Sequence, residues 1–234
     1  MVSNPSASIS IIIPVLNEAL LLGQLLHYLK KNSAGNIKEI IIVDGESTDN
    51  TKQIAQKCSA IVLDSEKGRA RQMNFGAKHA QGELLYFLHA DTLPPKDFDQ
   101  IIVEAHATGF ETGCFRMKFD TKNPVLKSFA WLSRINHTLC RGGDQSLFIS
   151  KSLFEHTGGF NEDYLIYEDS EFIRRLYETT KFKILPQWVT TSARKYRQIG
   201  WLRVQFLFGM IHFKNHLGAG PKVLYQYYQR FLFQ

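Results

Sequence analysis

Tyr86-Phe87-Leu88-His89-Ala90-Asp91-Thr92-Leu93 decides how this chain is read. A short apolar run ends abruptly in His-Ala-Asp, and Pro94-Pro95 closes it. A run of this length between breakers predicts a buried strand. Its last residue, Asp91, is then a carboxylate pushed out at the strand's C-terminal edge. In open α/β sheets ligands bind outside that edge.

Upstream, residues 8–14 (SISIIIP), 37–43 and 61–63 predict three more strands. Asn17 is placed to cap a helix whose apolar face holds Leu20, Leu21, Leu25, Leu26 and Leu29. A polar turn, Asp44-Gly45-Glu46-Ser47-Thr48-Asp49, leads into a helix over 50–57, and 67–80 becomes helical after a glycine-flanked turn holding Arg69 and Arg71. Strand–helix alternation with short connections predicts a parallel sheet with right-handed crossovers. After Pro95 the alternation weakens. Helices are expected at 97–108, 151–156, after Glu168-Asp169, at 200–217 and at 223–233, and strands at 114–119, 146–149, 182–185 and 188–191. Residues 124–139 are amphipathic and 141–145 form a polar turn.

The 234 residues suit one large α/β domain, or one domain with an appendage. Hydrophobic content of 44% and charged content of 21% mark a globular chain. Cys58, Cys114 and Cys140 show no paired spacing and read as reduced core thiols of a cytoplasmic protein, not a disulfide framework or zinc site. The first eight residues lack a basic region, which argues against a signal peptide. Residues 201–213 are too short, and too broken by Arg203 and His212, to span a bilayer. Net charge is +6, unevenly spread: nine of the 28 bases and no acid lie beyond Glu178, so the first 178 residues hold 19 bases against 22 acids. A basic tail of this kind meets a phosphate-bearing ligand, an anionic membrane or nucleic acid, or is simply a solvated helix face.

Pro14-Val15-Leu16-Asn17-Glu18 follows the first strand without the glycines of a dinucleotide fold, and no Walker lysine loop occurs. Successive strand ends are acidic and polar instead: Asn17 and Glu18, then Asp44 and Asp49, then Asp91. Carboxylates converging on one rim suit a divalent metal together with hydrogen bonds to a base or ribose. Asp49 serves equally as a helix cap, and Glu18 as an acid favoured at a helix start. Arg69 and Arg71 offer charge to a nucleotide's base or phosphate, with a surface basic pair as the equal alternative. Glu168-Asp169 form a second acidic centre at a helix start, where one of the two can be structural.

In order and spacing, IIIPVLNE, VDGESTDNT, FLHADTLPP and GGF…YEDSEF resemble an inverting family 2 glycosyltransferase of the GT-A fold, over residues 8–176. The resemblance implies an α/β fold with a mostly parallel central sheet flanked by helices and a helical C-terminal segment. It implies that Asp44 contacts the nucleotide base, that Asp91 binds Mn²⁺ or Mg²⁺, and that Asp169, with Glu168 beside it, is the general base. Pro14, Asn17, Glu18, Arg69, Arg71 and His89 join the nucleotide-sugar side. Two positions depart from the family's pattern: His89 replaces the first acid of its metal motif, and Gln72-Met73-Asn74-Phe75-Gly76 lacks its arginine, a role open to Arg69 or Arg71. Gly142-Gly143-Asp144-Gln145 resembles the acceptor-side turn of small bacterial members, with Asp144 and Gln145 orienting donor sugar or acceptor. Arg194, Lys195 and Arg197 stand where relatives place basic or aromatic residues over the diphosphate.

The expectation is therefore a catalytic domain over 1–192 (8–93 binding the nucleotide, 94–192 on the acceptor side) and a basic, aromatic segment over 193–234. Its act is transfer of a sugar from a nucleotide-diphosphate donor to an acceptor hydroxyl on a lipid, a carotenoid-like molecule or a polysaccharide, in the cytoplasm at the inner face of the membrane. Two competing expectations are a catalytically inert sugar-nucleotide binder and a peripheral membrane-binding protein using Trp201, Phe206, Phe208, Phe213 and the tail's bases. Nucleic-acid binding is the weakest expectation, because no recognised module accompanies the charge.

Overall fold

The computed structural model describes residues 7–232; the expectations for the first six residues and for Phe233 lie outside them. In chain order the elements are β1 (Ile9–Val15), α1 (Ala19–Asn32), β2 (Ile37–Asp44), α2 (Thr51–Lys57), β3 (Ile61–Asp64), α3 (Arg69–His79), β4 (Leu84–Phe87), β5 (Thr92–Leu93), α4 (Phe98–Ala107) and β6 (Thr112–Phe119). There follow α5 (Pro124–Trp131), three short 3₁₀ turns, β7 (Leu147–Ser150), α6 (Lys151–His156), α7 (Glu168–Thr179), β8 (Phe182–Thr191), α8 (Arg194–Ile199), α9 (Trp201–His216) and α10 (Pro221–Leu232).

One sheet of order β3-β2-β1-β4-β7-β6-β8-β5 runs through the molecule. β3, β2, β1 and β4 are parallel, as the alternation predicts. Beyond β4 the sheet is mixed: β7 is antiparallel to β4 and β6, β8 is parallel to β6, and β5 is antiparallel to β8.

β1 is buried along its whole length because both faces are covered. Its side chains alternate. Ile9, Ile11, Ile13 and Val15 join one core with Leu22, Leu25, Leu26 and Leu29 of α1 and Phe98 and Ile102 of α4. Ile12 faces the other core, with Met73 and Ala77 of α3 and Phe172, Ile173 and Leu176 of α7. Gly76 lets α3 lie close on the sheet: a Cβ there would stand 2.6 Å from Ile12 Cγ2.

Several boundaries differ from expectation. α1 buries the stripe 22, 25, 26, 29, so Leu20, 200° of helical turn from Leu22, faces outward. Asn17 does not cap it. Asn17 takes a left-handed φ of 56° and its Oδ1 accepts from Thr48 N (2.8 Å), while Asp49 Oδ2 accepts from Ala19 N (3.2 Å) and Asp49 Oδ1 from Thr51 N (3.0 Å). β4 ends at Phe87, short of Asp91. Leu88 N still donates to Ile12 O (3.1 Å), but Thr92 N donates to His89 O (3.1 Å), and the chain turns into β5. Asp91 therefore occupies this turn, not the strand's last position. Residues 182–185 and 188–191 belong to one strand, β8, whose pairing with β6 slips by two residues at Pro186-Gln187. α8, between β8 and α9, has no counterpart in the sequence reading.

The last two helices form a hairpin with a small core of its own: Val204, Leu207, Ile211 and Leu224, against which Tyr164, Ile166 and Tyr167 pack from the segment before α7. No helix among the described residues is long and apolar enough to cross a membrane.

Candidate active site

The C-terminal ends of β1, β2 and β4 open on one rim. Val15 and Asp44 are in register at the ends of β1 and β2. Gln72 of α3 ties these ends together, its Nε2 donating to Val15 O (2.9 Å) and Val43 O (2.7 Å). Asp44 is buried. Its Oδ2 accepts from Ser47 N (2.9 Å) and lies 3.6 Å from Lys52 Nζ, which reaches on to Asp64 (2.7 Å). Asp44 Oδ1 is buried and has no hydrogen-bond partner among the described residues. An acceptor left open at such a depth is uncommon.

Next along the rim stand Glu18, Asp91 and Arg194. Arg194 Nη2 pairs with Glu18 Oε1 at 3.2 Å, and Ser192 N donates to Asp91 O at 3.2 Å, which brings the start of α8 against the β4–β5 turn. Burial raises the pKa of Glu18 against the pull of Arg194, and the charges of Asp91 and Asp49 raise it further. Burial also raises that of Asp91; His89 and Arg194 oppose the rise and Asp144 adds to it. The acids at this rim thus feel one another.

His89 is the centre of the second group. Its Nδ1 is 3.6 Å from Asp144 Oδ1 and its Nε2 is 3.6 Å from Asp169 Oδ2. Burial works against a charged imidazole here, but Asp144 and then Asp169 outweigh it, and the His89 pKa is raised to about 10. Asp144 is held below the usual carboxylate range despite burial, by His89, Arg69 and Lys195. Glu168, almost fully buried at the start of α7, lies 3.2 Å from Arg69 Nη1. Burial raises the Glu168 pKa, with Arg69 opposing. Glu168 in turn, followed by Asp169 and Asp144, holds Arg69 firmly protonated.

Backbone strain collects at the same rim. Asn17, Glu46, Ser146 and Tyr167 are non-glycine residues with left-handed φ, and Tyr167 (φ 71°) directly precedes Glu168. Such conformations cost free energy and gather at functional sites. At Gly143 a Cβ would overlap Asp169 Oδ2 and stand 2.7 Å from His89 Cε1, so only glycine lets the acceptor-side turn come this close.

Asn17, Glu18, Asp44, Arg69, His89, Asp91, Asp144, Glu168, Asp169 and Arg194 therefore line or support one rim. Four other expected site residues are not brought to it. Arg69 is the first residue of α3, so Arg71, 200° further round the helix, points away and pairs with Glu66 and Glu162. It borders a separate cleft of about 510 Å³ with Asp64, Lys78 and Phe75. Gln145 turns inward: its Nε2 donates to Cys140 O (2.6 Å) and its Oε1 accepts from Arg141 and Cys114. Arg197 pairs with Asp120 at 3.1 Å. Pro14 is buried inside β1, in register with Val43. Met73, at the position of the family's arginine, is in the core.

Some residues at the site were not picked out from the sequence. Gln72 and Lys52 are ordinary polar helix residues there, and only the three-dimensional neighbours give them a role. Lys195, expected with Arg194 and Arg197 over the diphosphate, donates to Tyr228 Oη (2.9 Å), which brings α10 to the edge of the site from far along the chain. Among the described residues no three His, Cys, Asp or Glu side chains are gathered as a ready metal cage.

The sequence pattern of the family described as Glycosyl transferase family 2 matches residues 10–159. A PGL/p-HBAD biosynthesis glycosyltransferase of Mycobacterium bovis is 27% identical over 217 residues, covering 82% of this chain and 78% of its own. An undecaprenyl-phosphate 4-deoxy-4-formamido-L-arabinose transferase of Shewanella sediminis is 30% identical over 108 residues, 42% of this chain and 33% of that protein. In three dimensions the chain is similar to the mannosyltransferase PcManGT from Pyrobaculum calidifontis in complex with GDP-Man and Mn²⁺ (TM-score 0.70, 19% identity, 96% of this chain and 70% of that one). It is also similar to S. aureus TarS 1-349 in complex with UDP-GlcNAc (TM-score 0.65, 22% identity, 80% of this chain), of which it spans 59%. With the pattern matched across more than half of its length and a GT-A architecture around its strand-end acids, the chain belongs to glycosyl transferase family 2 and is a glycosyltransferase.

Proposed function

We propose that this enzyme moves a sugar, with inversion, from a nucleotide-diphosphate donor to an acceptor hydroxyl, and that residues 1–192 form the unit that does so. The observation that carries the proposal is His89 standing between Asp144 and Asp169 while its turn also holds Asp91. The acids that this reading assigns to donor and acceptor thus lie close together.

Asp44 Oδ1, open and buried, is suited to accept an N–H from the donor's base. Asp169 is suited to take the acceptor hydroxyl's proton as that oxygen attacks the anomeric carbon. The bond to the departing diphosphate breaks on the opposite face, and no covalent bond to the protein is needed. Glu168, held by Arg69, fixes the start of α7 so that Asp169 points into the cleft. Arg194 brings positive charge to the place where the diphosphate's charge grows. Asp144 faces the sugar side.

A divalent cation fits this donor set. Asp91 is an accessible carboxylate among like charges, and Mg²⁺-type sites commonly use one or two carboxylates and complete themselves with substrate phosphates. Asp91 would hold Mn²⁺ or Mg²⁺, which supplies charge neutralisation for the leaving diphosphate when bound. We place the enzyme on the cytoplasmic side, at the inner face of a membrane, with the basic segment 193–234 beside the site.

The decisive experiment is a thermal-shift screen of nucleoside diphosphates and nucleotide-sugars, with and without Mn²⁺. Stabilisation by one nucleotide class, larger with the cation, is expected. No stabilisation by any of them overturns the proposal.

A further inference from the structure

We propose that one face of this protein, formed by the outer stripe of α9 and the segment 129–139, docks on an anionic lipid bilayer. This deepens the membrane location given above and does not depend on the transfer chemistry.

α9 is apolar on two sides. Val204, Leu207 and Ile211 are buried against α10. On the opposite side Leu202 (67% exposed), Phe206 (67%), Phe213 (55%) and Leu217 (69%) face solvent. At 100° per residue these four fall within an arc of about 60°, a single ridge along the helix. Two of the aromatics expected to serve a membrane face turn inward instead: Phe208 packs against the hairpin core and Trp201 against the α5 core.

That second contact joins the ridge to a second apolar patch. Trp201 packs on the cluster of Phe119, Leu126, Ala130 and Ala193, which anchors α5. The next residue on each side, Leu202 and Trp131 (54%), is exposed, and Phe129, Ile135 and Leu139 continue the exposed apolar surface from α5 through the 3₁₀ turns. Monomeric proteins seldom expose apolar residues in such density without a partner.

Charge selects the partner. Both segments that build the face are free of acids over long stretches. Residues 121–143 contain Lys122, Lys127 and Arg134, with Arg141 buried, and no Asp or Glu, and 179–234 contain nine bases, two of them paired with acids from elsewhere, and no acid. All 22 carboxylates of the chain lie elsewhere, many of them at the rim. Exposed aromatic and aliphatic side chains accompanied by the exposed bases Lys122, Lys127, Arg134 and Arg203, with the one nearby acid, Asp120, paired to Arg197, suit insertion at the headgroup level of an anionic membrane. The acceptor-side turn at Gly142–Asp144 follows directly on this face, so docking would bring the cleft to the lipid surface.

The test is co-sedimentation of the full chain with vesicles of phosphatidylcholine alone or mixed with phosphatidylglycerol, without donor or acceptor. Binding to the mixed vesicles alone is expected, weakened at high salt as screening shortens the reach of the charges. The double variant Leu202→Glu/Phe206→Glu and the single variant Trp131→Glu should each lower partitioning by about tenfold or more. Both sites are exposed, so folding is checked by an unchanged melting curve, and nucleotide binding by thermal shift separates failure of docking from failure of the transfer reading. Equal binding to neutral vesicles, absence of binding, or variants that sediment like the wild type overturn the proposal. So does a concentration-dependent dimer in sedimentation velocity that these variants dissociate, which would assign the face to a second copy of the chain.

Discussion

His89 Nε2 stands 3.6 Å from Asp169 Oδ2, so the turn that carries Asp91 also meets the start of α7. A carboxylate at position 89 would add a third acid beside Asp144 and Asp169. Two like charges about 4 Å apart repel by up to about 4 kcal/mol at an effective dielectric near 20. Even about 1 kcal/mol lowers the melting temperature of a chain this size by about 2–4 °C. His89→Asp should therefore melt lower than the wild type in EDTA and recover most of the difference in Mn²⁺. Paired thermal melts of the two proteins in each buffer measure it, and a His89→Asp protein indifferent to Mn²⁺ contradicts a cation-binding role for this turn.

Asp91→Ala removes the carboxylate assigned to the cation. Loss of one charge-stabilising contact to a leaving group costs about 10²–10³-fold in rate. Release of nucleoside diphosphate from the donor in saturating Mn²⁺ should fall by about that factor, and the residual rate should no longer respond to the metal.

Asp169→Asn keeps the shape of the side chain and removes the base we propose. A positioned acid or base contributes about 10²–10⁴-fold. Transfer should fall by that much while nucleotide binding, read by thermal shift, stays within about threefold of the wild type. Loss of both together would mark Asp169 as a support of the fold and not a reacting group.

How far these residues could be found in advance depended on whether their partners were near in sequence. Asp44, Asp91, Glu168 and Asp169 are carboxylates next to buried strands or at a helix start, and that local contrast is visible in one dimension. Arg69 and Arg71 were inseparable until the first turn of α3 put them on opposite sides. Gln145 and Arg197 are polar residues in plausible places, but Cys114 and Asp120, which help to occupy them, arrive from other parts of the chain. The parallel half of the sheet follows from strand–helix alternation. The mixed half does not, because the antiparallel returns of β7 and β5 depend on long-range pairing and leave no periodic signal. Leu20 shows the limit of composition: six leucines in ten residues cannot share one helical face, and the stripe at 22, 25, 26 and 29 took it.

Acid stability should depend on Asp99, far from the site. Its buried carboxylate accepts from Ser33 Oγ (2.6 Å), Ala34 N (2.8 Å) and Asn36 N (2.8 Å), and so ties α4 to the turn between α1 and β2. Burial opposes the charge, yet these donors hold its pKa below the usual carboxylate range. A depressed carboxylate contributes stability above its unfolded pKa of about 3.9 and loses it as pH falls through the lower folded value. Asp99→Asn should cost about 2 kcal/mol at pH 7. In urea titrations from pH 7 to pH 2, the gap between wild type and variant should close below about pH 4. A gap that stays constant across the range would show that the charge contributes nothing.

Gly143 offers a test of how tightly the acceptor-side turn must close. Its Cα approaches the cleft so nearly that an added Cβ would overlap Asp169 Oδ2, with His89 Cε1 at 2.7 Å. Gly142, one residue earlier, has open space at the same position and serves as its control. Neither glycine has a left-handed φ, so alanine at either position raises no backbone objection and only the added methyl matters. In Gly143→Ala either Asp169 swings away from His89 or the turn retreats with Asp144. Both outcomes break the spacing that joins the two halves of the cleft, and a displacement of about 1 Å at a reacting group costs about 10²-fold in rate. Gly143→Ala should therefore lose about that much transfer with nucleotide binding retained, while Gly142→Ala stays within about threefold of the wild type. Equal losses in the two variants would locate the sensitivity in the loop's mobility and not in contact with Asp169.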